Sequence, residues 1–212
     1  MDKKSVKGKR KFRFTIQWKM ILIGLAVVAA FLGLILGIIL PGLQSSLIAE
    51  KRTETKQYVQ AAYSLMDSAY QQQQAGTLDE KAAQALALQG IGALRYGDDN
   101  SGYFWINDAK PTMIMHPIKP AMNGEDLTTY LDHKGQPMFV NMVNICKQSG
   151  ASFVTYVWQY GTNANRFEQK TSYVKEFTPW GWIVGTGIFT VDVNQQVSAK
   201  RNQYMIIGAA FA

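Results

Sequence analysis

The sequence predicts an α+β domain, in which long helices pack beside a single twisted antiparallel sheet, preceded by one transmembrane helix. Three observations lead there. Residues 20–40 (MILIGLAVVAAFLGLILGIIL) form an apolar run of 21 residues without a charge. Residues 43–75 then continue without Gly or Pro and are rich in Gln, Ala, Lys and Glu. After Gly97 the composition turns aromatic and β-branched, cut by turn clusters, which is the signature of short antiparallel strands.

The apolar run comes first in the chain. As a helix rising about 1.5 Å per residue it spans roughly 30 Å, the thickness of a bilayer's hydrocarbon core. A signal peptide has a shorter apolar region and a small-residue cleavage site, so a transmembrane helix is read over residues 20–41. Ahead of it lie Lys3, Lys4, Lys7, Lys9, Arg10, Lys11, Arg13 and Lys19 against the single acid Asp2. This leader of residues 1–19 carries the +7 net charge of the whole 212-residue chain, and the remainder is neutral. The basic charge therefore reads as a positive-inside flank that holds the N-terminus in the cytoplasm, and nucleic-acid binding is not expected. Residues 43–203 are placed outside the cytoplasm. Cys146 is the only cysteine, which excludes an internal disulfide, and no His/Cys spacing fits a zinc site. The terminal YMIIGAAFA, residues 204–212, is read as the start of a second membrane helix, with a buried terminal helix as the plainer alternative.

Between these segments the elements follow in order. Residues 43–75 are expected as a helix of roughly 50 Å. Its apolar stripe of Leu47, Tyr58, Ala62, Leu65, Met66 and Ala69 serves either packing on its own domain or a dimer seam; a homodimer is the expected assembly. Gly76 breaks the helix, and Thr77-Leu78-Asp79-Glu80 reads as a capping box that opens a second helix over residues 78–94. Strands are expected at 101–107, 112–116, 151–159, 171–177 and 181–191, with a short helix at 137–148 and a last helix over 192–203.

Chemistry is signalled first by what is missing. There is no phosphate loop, no nucleophile elbow, no zinc pair and no dinucleotide fingerprint; neither cofactor nor metal is expected, and an enzyme is disfavoured. His133 sits in a polar turn, and the pairs Asp98-Asp99 and Glu125-Asp126 read as solvated loop surface. Amphipathic aromatics, in contrast, are concentrated in the strands: Tyr103, Phe104, Trp105, Tyr156, Trp158, Tyr173, Trp180 and Trp182. Alternation puts Tyr103 with Trp105, Tyr156 with Trp158, and Thr171 with Tyr173 and Lys175. Buried Tyr and Trp need partners for their polar tips, so several together point to a lined pocket as well as to core packing. Arg95, His116, Lys170 and Lys175 are the cationic candidates. An Arg fork matches a carboxylate, although capping of the last helix carbonyls is an equal use for Arg95.

The run SGYFWINDAKPTMIMHPIKPAMNGEDLTTYLDHKGQP resembles the core of bacterial single-Cache sensor domains. The match continues through GASFVTYVW at 150–158, KTSYVK at 170–175 and FTPWGWIVGTG at 177–187. It covers residues 95–192 in detail. The resemblance implies a PAS-like antiparallel sheet on a long N-terminal helix, held in the periplasm of a bacterial cell membrane between two membrane helices. It implies the input module of a methyl-accepting chemotaxis receptor, less often of a histidine kinase or cyclic-dinucleotide enzyme, and a small carboxylate ligand of the acetate, propionate, pyruvate or lactate class. Carried over residue by residue, the ligand-binding set is Arg95, Tyr103, Trp105, His116, Tyr156, Trp158, Lys170 and Tyr173. Replacing Arg95 by Ala is expected to abolish carboxylate binding. The stretch QYGTNANRFEQ before the fourth strand departs from the pattern, where relatives carry a Pro-rich turn. A partner-docking domain without a small-molecule ligand is the alternative from another class.

Overall fold

The computed structural model describes residues 15–97, 99–161 and 163–210. Residues 1–14 of the basic leader, Asp98 and the last two residues of the terminal apolar run lie outside the described residues. Helix α1 (Ile16–Leu34) passes through one π-helical turn (Ile35–Ile39) into α2 (Leu40–Gln74), giving a continuous helix of 59 residues. The wide turn falls directly before Pro41. Proline has no N–H to give the carbonyl four residues earlier, and a π turn absorbs that lost bond without ending the helix. The apolar half is long and apolar enough to cross a bilayer, and none of its side chains is buried against protein.

Helix α3 (Glu80–Ala93) returns antiparallel to α2. Its N-cap is Asp79, which accepts a hydrogen bond from the Ala82 N–H at 2.7 Å; the Thr77 register of the expected capping box is not used, so the helix begins two residues later than expected. Strands β1 (Trp105–Asp108), β2 (Met113–Met115), β3 (Ala151–Gln159), β4 (Phe167–Phe177) and β5 (Trp182–Phe189) form one antiparallel sheet in the order β2-β1-β5-β4-β3. Helix α4 (Met138–Ser149) precedes β3 and ends at Gly150, whose φ of 73° is a C-terminal turn conformation that favours glycine. Helix α5 (Thr190–Ala210) follows β5 without a break and packs against α2.

Three expected strand boundaries move by two residues or more, one of them the end of the fifth strand, at Phe189 and not at 191, because α5 has begun by Thr190. Residues 101–104 are not strand: Tyr96 and Gly102 form an isolated bridge, and the Tyr103 carbonyl accepts a hydrogen bond from the Thr186 hydroxyl at 2.6 Å. β4 starts at Phe167 and not at Thr171, because the ladder with β3 runs in register from Ala151↔Lys175 to Gln159↔Phe167. The last three residues of the divergent stretch, Phe167, Glu168 and Gln169, are therefore strand.

The sheet buries both faces. Toward α2 and α3 it presents Phe104, Ile106, Phe177, Trp182 and Val184, packed on Val59, Met66, Ala87 and Ile91. Toward α4 it presents Trp105, Tyr156, Trp158, Val174 and Ile183, packed on Met113, Phe139, Met142 and Cys146. Glycine lets β4 and β5 lie tightly together on this second face. A Cβ at Gly187 would overlap the Ser172 hydroxyl and stand 2.5 Å from the Thr171 carbonyl oxygen. Backbone cannot yield there as a flexible side chain could. Gly187→Ala is expected to cost about 2–3 kcal/mol by overpacking. Thermal unfolding checks it: co-melting with the parent protein would mean the two strands part easily at this point.

Candidate functional site

The face toward α4 carries the site, and β-strand alternation explains which residues reach it. On β4, Lys170, Ser172 and Val174 are buried on this face. On β3, Tyr156 and Trp158 join them, with Tyr156 directly opposite Lys170 in the ladder. β1 adds Trp105, and the segment before it adds Tyr103. His116 follows β2 and is 2% exposed. Six of the residues expected at the site, Tyr103, Trp105, His116, Tyr156, Trp158 and Lys170, are thereby brought together.

Three of them meet at one oxygen. The Tyr103 hydroxyl accepts from the Trp158 indole at 3.0 Å and from the Lys170 ammonium at 3.2 Å. With both lone pairs engaged, its own O–H is left to donate. Burial pushes that phenol up to about 12, with the Trp158 bond opposing, so it stays protonated. His116 accepts the Lys119 N–H on Nδ1 at 3.0 Å. Burial, reinforced by the charges of Lys170 and Lys119, lowers its pKa to about 3. The ring is therefore neutral, with its proton on Nε2 as a second donor. Its centroid lies 5.1 Å from that of Tyr103 and 5.7 Å from Trp158. The Tyr156 hydroxyl shares a hydrogen bond with Ser172 at 2.9 Å, and the Trp105 indole donates to Asn107 at 3.2 Å.

Lys170 is the charged element. It is 2% exposed, with Nζ 4.3 Å from the Tyr103 ring centroid and 4.9 Å from that of Phe189. Among the described residues it makes no ion pair. Burial lowers its pKa to about 7, with Asp192 on α5 pulling the other way. A buried ammonium without a counter-ion, beside two neutral donors, is an anion-binding arrangement.

Two spaces meet at Tyr103. A small cavity of about 10 Å³ is lined by Tyr103, Trp105, His116, Met138, Phe139, Tyr156 and Trp158. On the other side lies an open cleft of about 500 Å³ between the sheet, α2 and α5, lined among others by Glu54, Tyr58, Tyr103, Lys170 and Asp192.

Two expected residues stand elsewhere. Arg95 is exposed, and its guanidinium donates to the carbonyls of Gly92 at 2.9 Å and Leu94 at 2.7 Å; it caps the end of α3. Tyr173 lies on the opposite face, its ring 4.8 Å from Phe153. Lys175 shares that face and donates to Gln60 of α2 at 2.8 Å. Sequence reasoning passed over Met138, Phe139 and Ser172. Ser172 was accessible to it, two positions from Lys170 on one strand; the two α4 residues were not, because periodicity alone does not say which face of the sheet a helix covers.

A donor-lined cavity in a helix-flanked antiparallel sheet, joined at both ends to long helices, is a form suited to a small-molecule sensor domain. The chain belongs to the single Cache domain 2 family, whose model matches residues 47–203. It is 38% identical over 189 residues to the methyl-accepting chemotaxis protein McpP of Pseudomonas putida, covering 88% of this chain and 34% of that protein. The chain thus spans about a third of that relative's length. A solved structure described as the structural basis for carboxylic acid recognition by a Cache chemosensory domain is 40% identical, with a TM-score of 0.65, covering 69% of this chain and 97% of that one. A second, the periplasmic sensor domain of a chemotaxis protein, is 34% identical with the same TM-score of 0.65, covering 68% and 97%.

Proposed function

We propose that this chain is the extracytoplasmic sensing region of a membrane-anchored chemotaxis receptor, and that it binds a short monocarboxylate of the acetate, propionate, pyruvate or lactate class. The observation that carries the ligand class is Lys170: a buried ammonium with no carboxylate partner among the described residues, hydrogen-bonded to a phenol whose own proton is left to donate. A ligand carboxylate replaces the missing counter-ion, accepting from Lys170, Tyr103 and the His116 Nε2–H. Trp105, Phe139 and Trp158 wall the space left for a short apolar tail. Recognition of carboxylic acids by the 40%-identical Cache domain supports the same class.

The signal leaves through the two helices. α2 continues into the apolar helix that anchors the chain in the lipid bilayer, and α5 leads from β5 toward a second membrane helix, with the basic leader cytoplasmic and the receptor acting as a homodimer. A ligand shifts such a receptor only by its difference in affinity for two states. Both helices border the cleft beside Lys170, so a small change there displaces one relative to the other.

Thermal unfolding of the whole chain in lipid nanodiscs against short carboxylates, amino acids and sugars tests the reading. A ligand at 100 times its dissociation constant stabilises the folded form by about 2.7 kcal/mol. Stabilisation confined to carboxylates is expected; none with any of them would refute the ligand class. In the same assay Arg95→Ala is expected to leave the dissociation constant within about twofold, since the residue is exposed and bonded only to its own helix end. Loss of binding in that variant would return Arg95 to the site.

A further inference from the structure

The following rests on the carboxylate reading above and concerns what accompanies the ligand. Lys170 is enclosed by the rings of Tyr103, Trp105 and Phe189 at 4.3, 5.9 and 4.9 Å. Each element packed around it presents an uncharged group or one already engaged. Tyr103, Tyr156 of β3 and His116 after β2 face it as neutral side chains. Lys119 lies over the far ring of Trp158 at 4.8 Å. Asp192 of α5 accepts the Tyr160 hydroxyl at 2.6 Å, and across the cleft Lys51 and Glu54 of α2 pair with each other at 2.7 Å. Asp99, also on the cleft, accepts the Ser101 N–H at 3.1 Å.

We propose that carboxylate binding is coupled to the uptake of one proton at Lys170, so that this domain responds to acid and proton together and not to the carboxylate alone. The proton comes from solvent: a neutral Lys170 amine, a proton and a carboxylate become an ammonium–carboxylate pair. Delivery as the undissociated acid gives the same balance.

Enclosure by three rings with no carboxylate partner among the described residues singles out Lys170. Burial holds Lys170 at about 7, while His116 at about 3 and Tyr103 at about 12 are out of range. Near pH 7 the unliganded lysine is about half neutral, and by about pH 8 it is mostly so. A carboxylate at hydrogen-bond distance supplies the counter-ion that makes the charged form favourable again.

Isothermal titration calorimetry with acetate and propionate decides it, using the whole chain in lipid nanodiscs and, at each pH, two buffers of different ionisation enthalpy. The expected result is uptake of about one proton per acetate at pH 8.5 and about none at pH 6, with the dissociation constant rising on the order of 10²-fold from pH 6 to pH 9. Lys170→Met has no titrating group there, so it is expected to show no acetate-linked proton uptake at either pH. Tight binding by the parent protein with no uptake at pH 8.5 overturns the coupling while leaving the carboxylate reading standing. No heat with either acid at any pH overturns the carboxylate reading, and the coupling with it.

Discussion

Lys170→Met is expected to abolish binding of acetate and propionate and, at pH 6, to raise the melting temperature of the unliganded protein. The two effects have one cause. A lysine with an unfolded pKa near 10.4 and a folded value of about 7 binds its proton more tightly when unfolded. Below about pH 7 both states are protonated and the folded state carries the whole cost of the buried charge. As pH rises from about 7 to about 10.4 only the unfolded state stays charged, and the cost fades. Full burial leaves little solvent to screen this cost, which is on the order of 4 kcal/mol at pH 6. Methionine fills similar volume without the charge. It forfeits the hydrogen bond to Tyr103 and the ring contacts, together about 2 kcal/mol. The balance is a gain of roughly 2 kcal/mol, or about 5 °C for a domain of this size. Thermal unfolding at pH 6 and pH 9, with and without acetate, reads all of it. The gain should shrink at pH 9. A variant that melts lower at pH 6, or that still binds acetate, would falsify the assignment of Lys170 as the anion's counter-charge.

That a residue costs stability until the ligand arrives fits a sensor. The cost of burying Lys170, as a charge at low pH and as a deprotonated amine above about pH 7, is relieved on binding, so it adds to the difference between free and bound states that a receptor has to transmit. Lys170 borders the same cleft as Glu54 of α2 and Asp192 of α5, which places the change in charge between the two helices that lead toward the membrane.

Much of this was legible in the sequence. Five strands, the long first helix and the short helix before the third strand were all readable from periodicity and turn residues, because each element buries a patterned face. Which strand side chains share a face was readable where alternation was applied strictly. Tyr103 with Trp105 and Tyr156 with Trp158 followed from it. Tyr173 did not belong with Lys170 by the same rule, since residues three apart on a strand face opposite sides. Its inclusion came from the family resemblance overriding the local geometry. Arg95 was misplaced for a different reason. A guanidinium near a turn suits a carboxylate or a helix C-terminus equally well, and only the tertiary structure shows that the α3 carbonyls take it. The site's positive charge sits on a lysine buried by strands distant in sequence, and no local pattern announces burial of that kind.

Asp132→Ala is expected to unfold or markedly loosen the domain, and to weaken acetate binding although Asp132 does not line the cavity. Asp132 opens the turn before α4, with Gly135 at a φ of 73°. It is 7% exposed. One carboxylate oxygen accepts the N–H groups of Lys134 at 2.8 Å and Gln136 at 2.9 Å, and the other accepts the Val157 N–H at 2.9 Å. Burial works to raise its pKa, but the backbone bonds from Gln136, Val157 and Lys134 outweigh it and hold the carboxyl below its ordinary value. The stability it contributes is therefore present above about pH 4 and is lost as pH falls through the lowered folded value. The contact with Val157 matters most, because it ties the turn to β3 between Tyr156 and Trp158. Through that tie the turn sets where α4 begins, and hence where Met138 and Phe139 close the cavity. Removing the carboxylate frees three backbone donors, one of them in the buried strand. At about 1.5 kcal/mol for each of the three bonds to a charged acceptor, the loss is roughly 4–5 kcal/mol. Asp132→Asn can keep an acceptor for one side only and should fall between. Urea unfolding of the three proteins measures the order. If the Asn and Ala variants retain parental stability and acetate affinity, the turn does not position α4, and the walls of the cavity are held by core packing alone.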